Sequence, residues 1–209
     1  MSPSSSSARS FAALIALLAW SALVLQYGLL VGSTRHGGGP LLATLRYFSF
    51  FTILSNLLVA LTTSAAVGWP QSRLASPRVR GAAALCIAVT CGVYYFVLAR
   101  TWAPHGAQLL ANVALHYLVP PLYLAWWITC VPHGRLAWAD ALRWLLLPLG
   151  FLGWTLARGA WLHEYPYPFV DVDVLGIGEV LRNALALGVL FLLVGLVLVA
   201  LDQARHRRG

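Results

Sequence analysis

Thr52, Ser49 and His116 are the residues of this chain whose types can carry out nucleophilic chemistry together. An alcohol hydrogen-bonded to a neutral imidazole is the minimal nucleophile–base pair. Asn56, Asn112 and Arg46 add amide and guanidinium donors of the kind that stabilise an oxyanion when such an alcohol attacks a carbonyl. His116 lies in "NVALHYLVPPLYLAWW", residues 112–127, which is otherwise almost wholly apolar. Two roles stand open for it. Pro120 and Pro121 bend a helix and free backbone carbonyls near position 116, which an imidazole can satisfy as a packing residue. The other role is that of a general base, since ionisable groups inside a membrane default to function. A threonine in such a helix also has a plain reading, with its hydroxyl bonded to the carbonyl four residues back.

The elements that must position these residues are set by composition. The chain has 209 residues, of which 60% are hydrophobic and only 10% charged. A soluble domain carries about 25% charged residues, and its surface could not be covered with so few. Lipid removes the conflict. Six apolar runs long enough to cross a bilayer fall at residues 10–32, 41–66, 81–101, 108–131, 140–161 and 178–201. The expected fold is all-α: a polytopic membrane protein with a six-transmembrane-helix bundle. It divides into a disordered tail at residues 1–9, one membrane domain at 10–202 and a basic cytoplasmic tail at 203–209. The first run exceeds the length of a signal-peptide core and lacks a clear cleavage site, so it is expected to be retained.

All 14 basic residues are arginine, against six acids, for a net charge of +8. Nine arginines (Arg9, Arg73, Arg78, Arg80, Arg135, Arg143, Arg205, Arg207 and Arg208) fall on the side of the termini. Arg35, Arg46, Arg100, Arg158 and Arg182 fall on the other, which also holds Glu164, Asp171 and Asp173. Arginine excess marks the cytoplasmic side, so both termini are expected in the cytoplasm. Because the arginines flank apolar runs, nucleic acid is not an expected partner.

Along the second run, Arg46, Ser49, Thr52 and Asn56 are spaced to share one helical face of about 120°. Asn112, His116 and Tyr123 form a stripe on the fourth run. Glu179, Arg182 and Asn183 form one on the sixth, where the first two could simply neutralise each other. Counted from the outer ends, Thr52 lies about 16 Å deep, Ser49 about 12 Å and His116 about 10 Å. The cytoplasmic halves read as nearly pure hydrocarbon. A polar cavity open toward the outer face is therefore expected, with Arg46, Ser49, Asn56, Asn112, Glu179, Arg182 and Asn183 as substrate-binding or oxyanion residues. Arg100 and Arg158 have the alternative of reaching to headgroups, and Tyr94, Tyr95, Trp126, Trp127 and Trp161 read as packing or interfacial residues.

Other chemistries find little footing. Cys86, Cys91 and Cys130 form no CxxC pair and have no histidine at ligand spacing, so no metal site or disulfide is expected. Haem or quinone binding would want histidines paired across helices. His36, His105, His133 and His163 instead fall in loops or at helix ends. No cofactor is expected.

"RYFSFFTILSNLLVAL", "NVALHYLVPPLYLAWW" and "YPYPFVDV", in that order over six spans, resemble a family. It is the bacterial six-span membrane proteins related to the eukaryotic androgen-induced and androgen-dependent proteins. The eukaryotic members are membrane hydrolases of fatty acid esters of hydroxy fatty acids that use a threonine and a histidine. The resemblance implies Thr52 as nucleophile, with Ser49 the other candidate, and His116 as base. It also implies a bacterial inner (plasma) membrane location and a membrane lipid or lipid-like ester as substrate. In "EYPYPFVDV", Pro166 and Pro168 favour a stiff extended segment that could cap the cavity. The expected function is hydrolysis of lipid esters by a Thr-His mechanism. The alternative is a non-enzymatic lipid-binding or transport protein, although transport would want polar residues through both leaflets.

Overall fold

The computed structural model describes residues 5–34 and 38–206. The expected tails lie partly outside the described residues, as do Arg35, His36, Arg207 and Arg208. Within them every regular element is a helix, with no strand. Seven helices make the frame: α1 (Ser5–Ser33), α2 (Gly39–Tyr47), α3 (Phe51–Gly68), α4 (Pro77–Leu98), α5 (Gly106–Cys130), α6 (Trp138–Leu162) and α7 (Ile177–His206). All but α2 are long and apolar enough to cross a membrane. This is a multi-pass membrane protein. Helix α1 already runs from Ser5 and α7 continues to His206, so the described parts of the two tails extend the first and last helices.

One expectation fails in an informative place. The run 41–66 is two helices rather than one, interrupted at residues 48–50. Phe50 is extended, with φ −100° and ψ 123°, and caps α3. The sequence there, "YFSFFT", is aromatic and β-branched, and such residues lose side-chain freedom in a helix. The Ser49 hydroxyl also donates back to the Leu45 carbonyl at 2.6 Å, a local bond that competes with the helical ladder.

Helix α1 buries Ala12, Ile15, Ala19 and Ala22 and packs chiefly on α3. Small side chains let backbones approach, which drives association where lipid supplies no hydrophobic contrast. Helices α4 and α5 complete the tight part of the bundle, around Leu85, Ile87, Val119 and Trp127. Helix α6 is the span least covered by the rest of the protein, and α7 meets it mainly over Trp138–Trp144. Beyond that point α6 stands away from α3, α4 and α7, leaving space between them.

Both described ends of the chain lie at one end of the bundle. Trp126 Nε1 donates to the Ala8 carbonyl at 3.0 Å, and Arg205 Nη1 donates to the Ile128 carbonyl at 2.8 Å. This end is not the pure hydrocarbon that the sequence suggested. Asp202, buried, accepts from the Gly134 and Leu136 amides, each at 2.9 Å, and sits 3.1 Å from His133 Nδ1. Asp140, also buried, holds Arg143 at 2.7 Å and Arg78 at 3.3 Å. Tyr123, wholly buried, donates to the Arg80 carbonyl at 3.1 Å, far from the residues with which it shares a sequence stripe.

Candidate functional site

At the opposite end, Thr52 and His116 meet. The interruption at 48–50 makes Thr52 the second residue of α3, and its hydroxyl lies 3.3 Å from His116 Nε2. His116 sits ten residues into α5, about 15 Å along it. Thr52 thus reaches the histidine from the start of its own helix, rather than from deep within a continuous one.

The histidine's tautomer follows from its second contact. His116 Nδ1 is 3.1 Å from the Asn112 carbonyl oxygen, which can only accept. In the neutral ring Nδ1 therefore carries the hydrogen, and Nε2 presents its lone pair to the Thr52 hydroxyl. The ring is clamped from the side by Tyr94, stacked at 3.7 Å and 21°. Both contacts arise where helices widen. Residues Ala114–Leu118 of α5 and Tyr94–Leu98 of α4 are π-helical, a distortion found mostly at functional sites. Pro120 and Pro121 follow the first of these turns and supply no amide hydrogen to close it.

The first turn of a helix leaves backbone N–H groups without intrahelical partners, and Thr52 occupies that turn. Its amide donates to the Tyr167 hydroxyl at 3.4 Å. The Tyr167 oxygen is thus an acceptor from the Thr52 amide, with the Thr52 side chain also within hydrogen-bonding reach. Burial pushes the Tyr167 phenol above its ordinary pKa, so it is a protonated donor at neutral pH. Asn56, fully buried, donates to the Thr52 and Leu115 carbonyls at 2.9 and 3.2 Å, bracing α3 against α5.

The segment carrying Tyr167 is fastened by an ion cluster. Glu164 accepts from Arg46, and from Arg158 Nη2 at 2.9 Å. The Arg46 hydrogen bond, opposed by desolvation, holds the Glu164 carboxyl below its ordinary range. Arg158 is only 5% exposed, so it is not reaching for headgroups. Gly159 makes the close approach possible: a Cβ there would sit 2.0 Å from the Tyr165 ring. Asn183 Nδ2 donates to the Phe169 carbonyl at 3.0 Å and pins the far side of the segment.

Two cavities meet at the pair. One, of about 350 Å³, opens between α3, α4, α6 and α7 and is lined by Phe51, Val93, Leu152, Phe191 and their neighbours. The other, of about 380 Å³, lies among α1, α3, α4 and α5 and is lined by Gln26, Tyr47, Gln108, Asn112 and His116, among others. Thr52, Tyr94, Leu98 and Tyr167 line both. His116 lines only the second.

Of the residues singled out from sequence, Thr52, His116, Asn56 and Asn112 come together. Tyr94, expected only to pack, joins them by stacking on His116, and the other proposed binding residues do not. Arg46 lies on the shorter helix α2 and is spent on Glu164. Ser49 is 1% exposed, bonded to Leu45 and accepting from Trp154 Nε1 at 3.3 Å, and it lines neither cavity. It has no base beside it. Glu179 and Arg182 pair with each other on an exposed face of α7, and Asn183 serves the loop. These departures have two causes: the helix expected to carry Arg46 and Ser49 breaks at 48–50, and α7 turns Glu179 and Arg182 away from the cavities. Tyr167 and Glu164 escaped notice as site residues, although the stiff "EYPYPFVDV" run was their signal. Comparison with models of protein families, with characterised proteins and with solved structures finds no match.

Proposed function

We propose that the protein cleaves the carboxylic ester of an amphiphile drawn sideways from lipid, with Thr52 as nucleophile and His116 as general base. One observation carries this reading: the Thr52 hydroxyl faces the unprotonated nitrogen of an oriented imidazole, at the junction of two cavities. The Thr52 oxygen attacks the carbonyl carbon and its proton passes to His116 Nε2. The negative charge gathers on the carbonyl oxygen, where the Tyr167 O–H donates, itself polarised by the Thr52 amide. Collapse breaks the C–O bond to the alcohol, which leaves with the proton from Nε2. A water then gives Nε2 a proton and attacks the acyl–threonine, and the proton returns to Thr52 as the acid departs.

In this reading the end holding Tyr167 and Glu164 faces the periplasm and both termini face the cytoplasm of a bacterial inner membrane, in keeping with the arginine distribution. The resemblance to the six-span ester hydrolases supports the same roles for Thr52 and His116. The test is covalent labelling of the purified protein in detergent with a long-chain fluorophosphonate. We expect the modification on Thr52, located by mass spectrometry, and none in His116→Ala. Labelling elsewhere, or labelling that survives loss of His116, overturns the mechanism. A lipid-binding protein without catalysis would take up ester and release it uncleaved.

A further inference from the structure

Resting on the reaction just proposed, the geometry points to a division of the ester between the two cavities: the acyl chain in the one between α3, α4, α6 and α7, and a neutral, hydroxyl-bearing alcohol in the one that His116 lines. The substrate class is then a fatty-acyl ester of a short polyol, of the monoacylglycerol kind.

The assignment follows from the proton. The imidazole that takes the Thr52 proton must return it to the departing oxygen. The departing oxygen must therefore lie on the His116 side of the scissile bond. His116 faces only the second cavity, so the alcohol occupies that one and the acyl chain extends into the other.

The two linings suit this division. The acyl side carries no carboxamide and no charged side chain among the residues lining it. Of its hydroxyls, Thr90 already donates to Ser55 Oγ at 3.0 Å, and Thr155 Oγ1 is the one buried there without a partner. The alcohol side gathers three carboxamides, Gln26, Gln108 and Asn112, with Thr101 beside them. Gln108 donates to Gln26 at 2.7 Å, which still leaves amide hydrogens and lone pairs unspent. Asn112 is 5% exposed, and its side-chain oxygen has no hydrogen-bond partner. A buried amide left so is unfavourable unless something else satisfies it. A hydroxyl carried by the alcohol, one turn from His116, is chemically the right partner. None of the described residues lining this cavity is an arginine. Arg46, the nearest cation in sequence to Thr52, is engaged with Glu164. An alcohol bearing a carboxylate, such as a hydroxy fatty acid, finds no counter-charge there.

Three laurate esters separate the possibilities when given to the full-length protein in detergent micelles, with lauric acid release as the common readout. They are 1-lauroylglycerol, propyl laurate and the laurate ester of 12-hydroxystearic acid. We expect kcat/KM on the glycerol ester to exceed that on the propyl ester by roughly a hundredfold, because a site built to hydrogen-bond a hydroxyl rejects the analogue that lacks it. The hydroxystearate ester should be the poorest of the three. Asn112→Leu should shrink the glycerol-to-propyl ratio about tenfold, and Gln108→Leu should move it the same way if the first variant fails to fold. Equal rates on the glycerol and propyl esters, or a faster hydroxystearate ester, overturn the division while leaving the Thr52–His116 reaction standing. Release of lauric acid from none of them sinks the reaction and the division together.

Discussion

The two ends of the bundle both bury polar groups, and they treat them differently. At the end holding the chain termini, the carboxylates are saturated. Asp202 takes two backbone amides and His133, and Asp140 takes the Ala137 amide and two arginines. Ser72 Oγ and Arg80 Nε lack hydrogen-bond partners there, but neither residue lines either of the two cavities described. At the Thr52 end, Asn56 Oδ1 and Arg158 Nε are likewise unpartnered and line neither cavity, but the unpartnered atoms on Asn112 and Thr155 belong to residues that do, and Thr52 lines both. Saturated networks rigidify, whereas open valences beside empty space await a ligand. Buried polar groups thus brace the connectors at one end and border open space at the other.

The contrast breaks most visibly under paired truncations. Asp202→Ala strips the partner from two backbone amides and should cost about 3 kcal/mol of stability, read from thermal unfolding in detergent. His116→Ala should leave the unfolding temperature nearly unchanged and lower kcat by about a thousandfold or more. If Asp202→Ala is harmless, or His116→Ala unfolds the protein, the two ends do not differ in kind.

Tyr167→Phe sharpens the comparison within the site. It removes one donor to the oxyanion and should lower kcat by about a hundredfold, near 2.7 kcal/mol, with substrate binding little altered. A fall in affinity alone would make Tyr167 a wall and nothing more. Acid tests how that tyrosine is held. The Glu164 carboxyl is depressed in the folded protein, chiefly by the Arg46 hydrogen bond. Its contribution is fully present above the ordinary carboxylate range and is lost as the pH falls through the depressed value. Activity should therefore decline in acid as the 164–170 segment loosens, and Glu164→Gln should be impaired already at neutral pH. An identical acid limb in Glu164→Gln would assign the decline to another group.

The smallest effect expected is a change of preference. Gly188 lines the apolar cavity, and a Cβ there meets nothing within 4 Å. Gly188→Leu should fill that space while improving helix propensity by about 1 kcal/mol. Turnover of short acyl chains should persist and that of long ones should fall, measured across a chain-length series. An unchanged profile would place the acyl chain elsewhere.

Much of this was legible in the chain, and the failures have physical causes. The six spans could be read because twenty-residue apolar runs have few other homes. The interruption at 48–50 could not, since Tyr47, Phe48, Phe50 and Phe51 keep the run hydrophobic whether or not it is helical. That single break places Arg46 and Ser49 against Glu164 and Trp154 instead of Thr52 and His116. Thr52 and His116 were legible by type, but their contact spans 64 positions. The Arg46–Glu164 pair spans 118, and no local periodicity reports a partner that distant. Asp202 and Asp140 looked like boundary residues because their shelter comes from connectors folded back over them.

The widened turn around His116 carries a consequence for how this centre could be lost. A π-turn holds one residue more than the surrounding α-helix needs, and each residue of an α-helix advances about 100° around the axis. Deleting a single residue between Ala114 and Leu118 would let the coil close normally with the flanking turns kept in register, while the residues of the turn itself would shift by up to about that angle. The imidazole and the Asn112 carbonyl could then no longer serve Thr52 together, while the hydrophobicity of the span would scarcely change. Such a relative would insert, fold and look complete, and would lack the contact on which the proposed reaction depends.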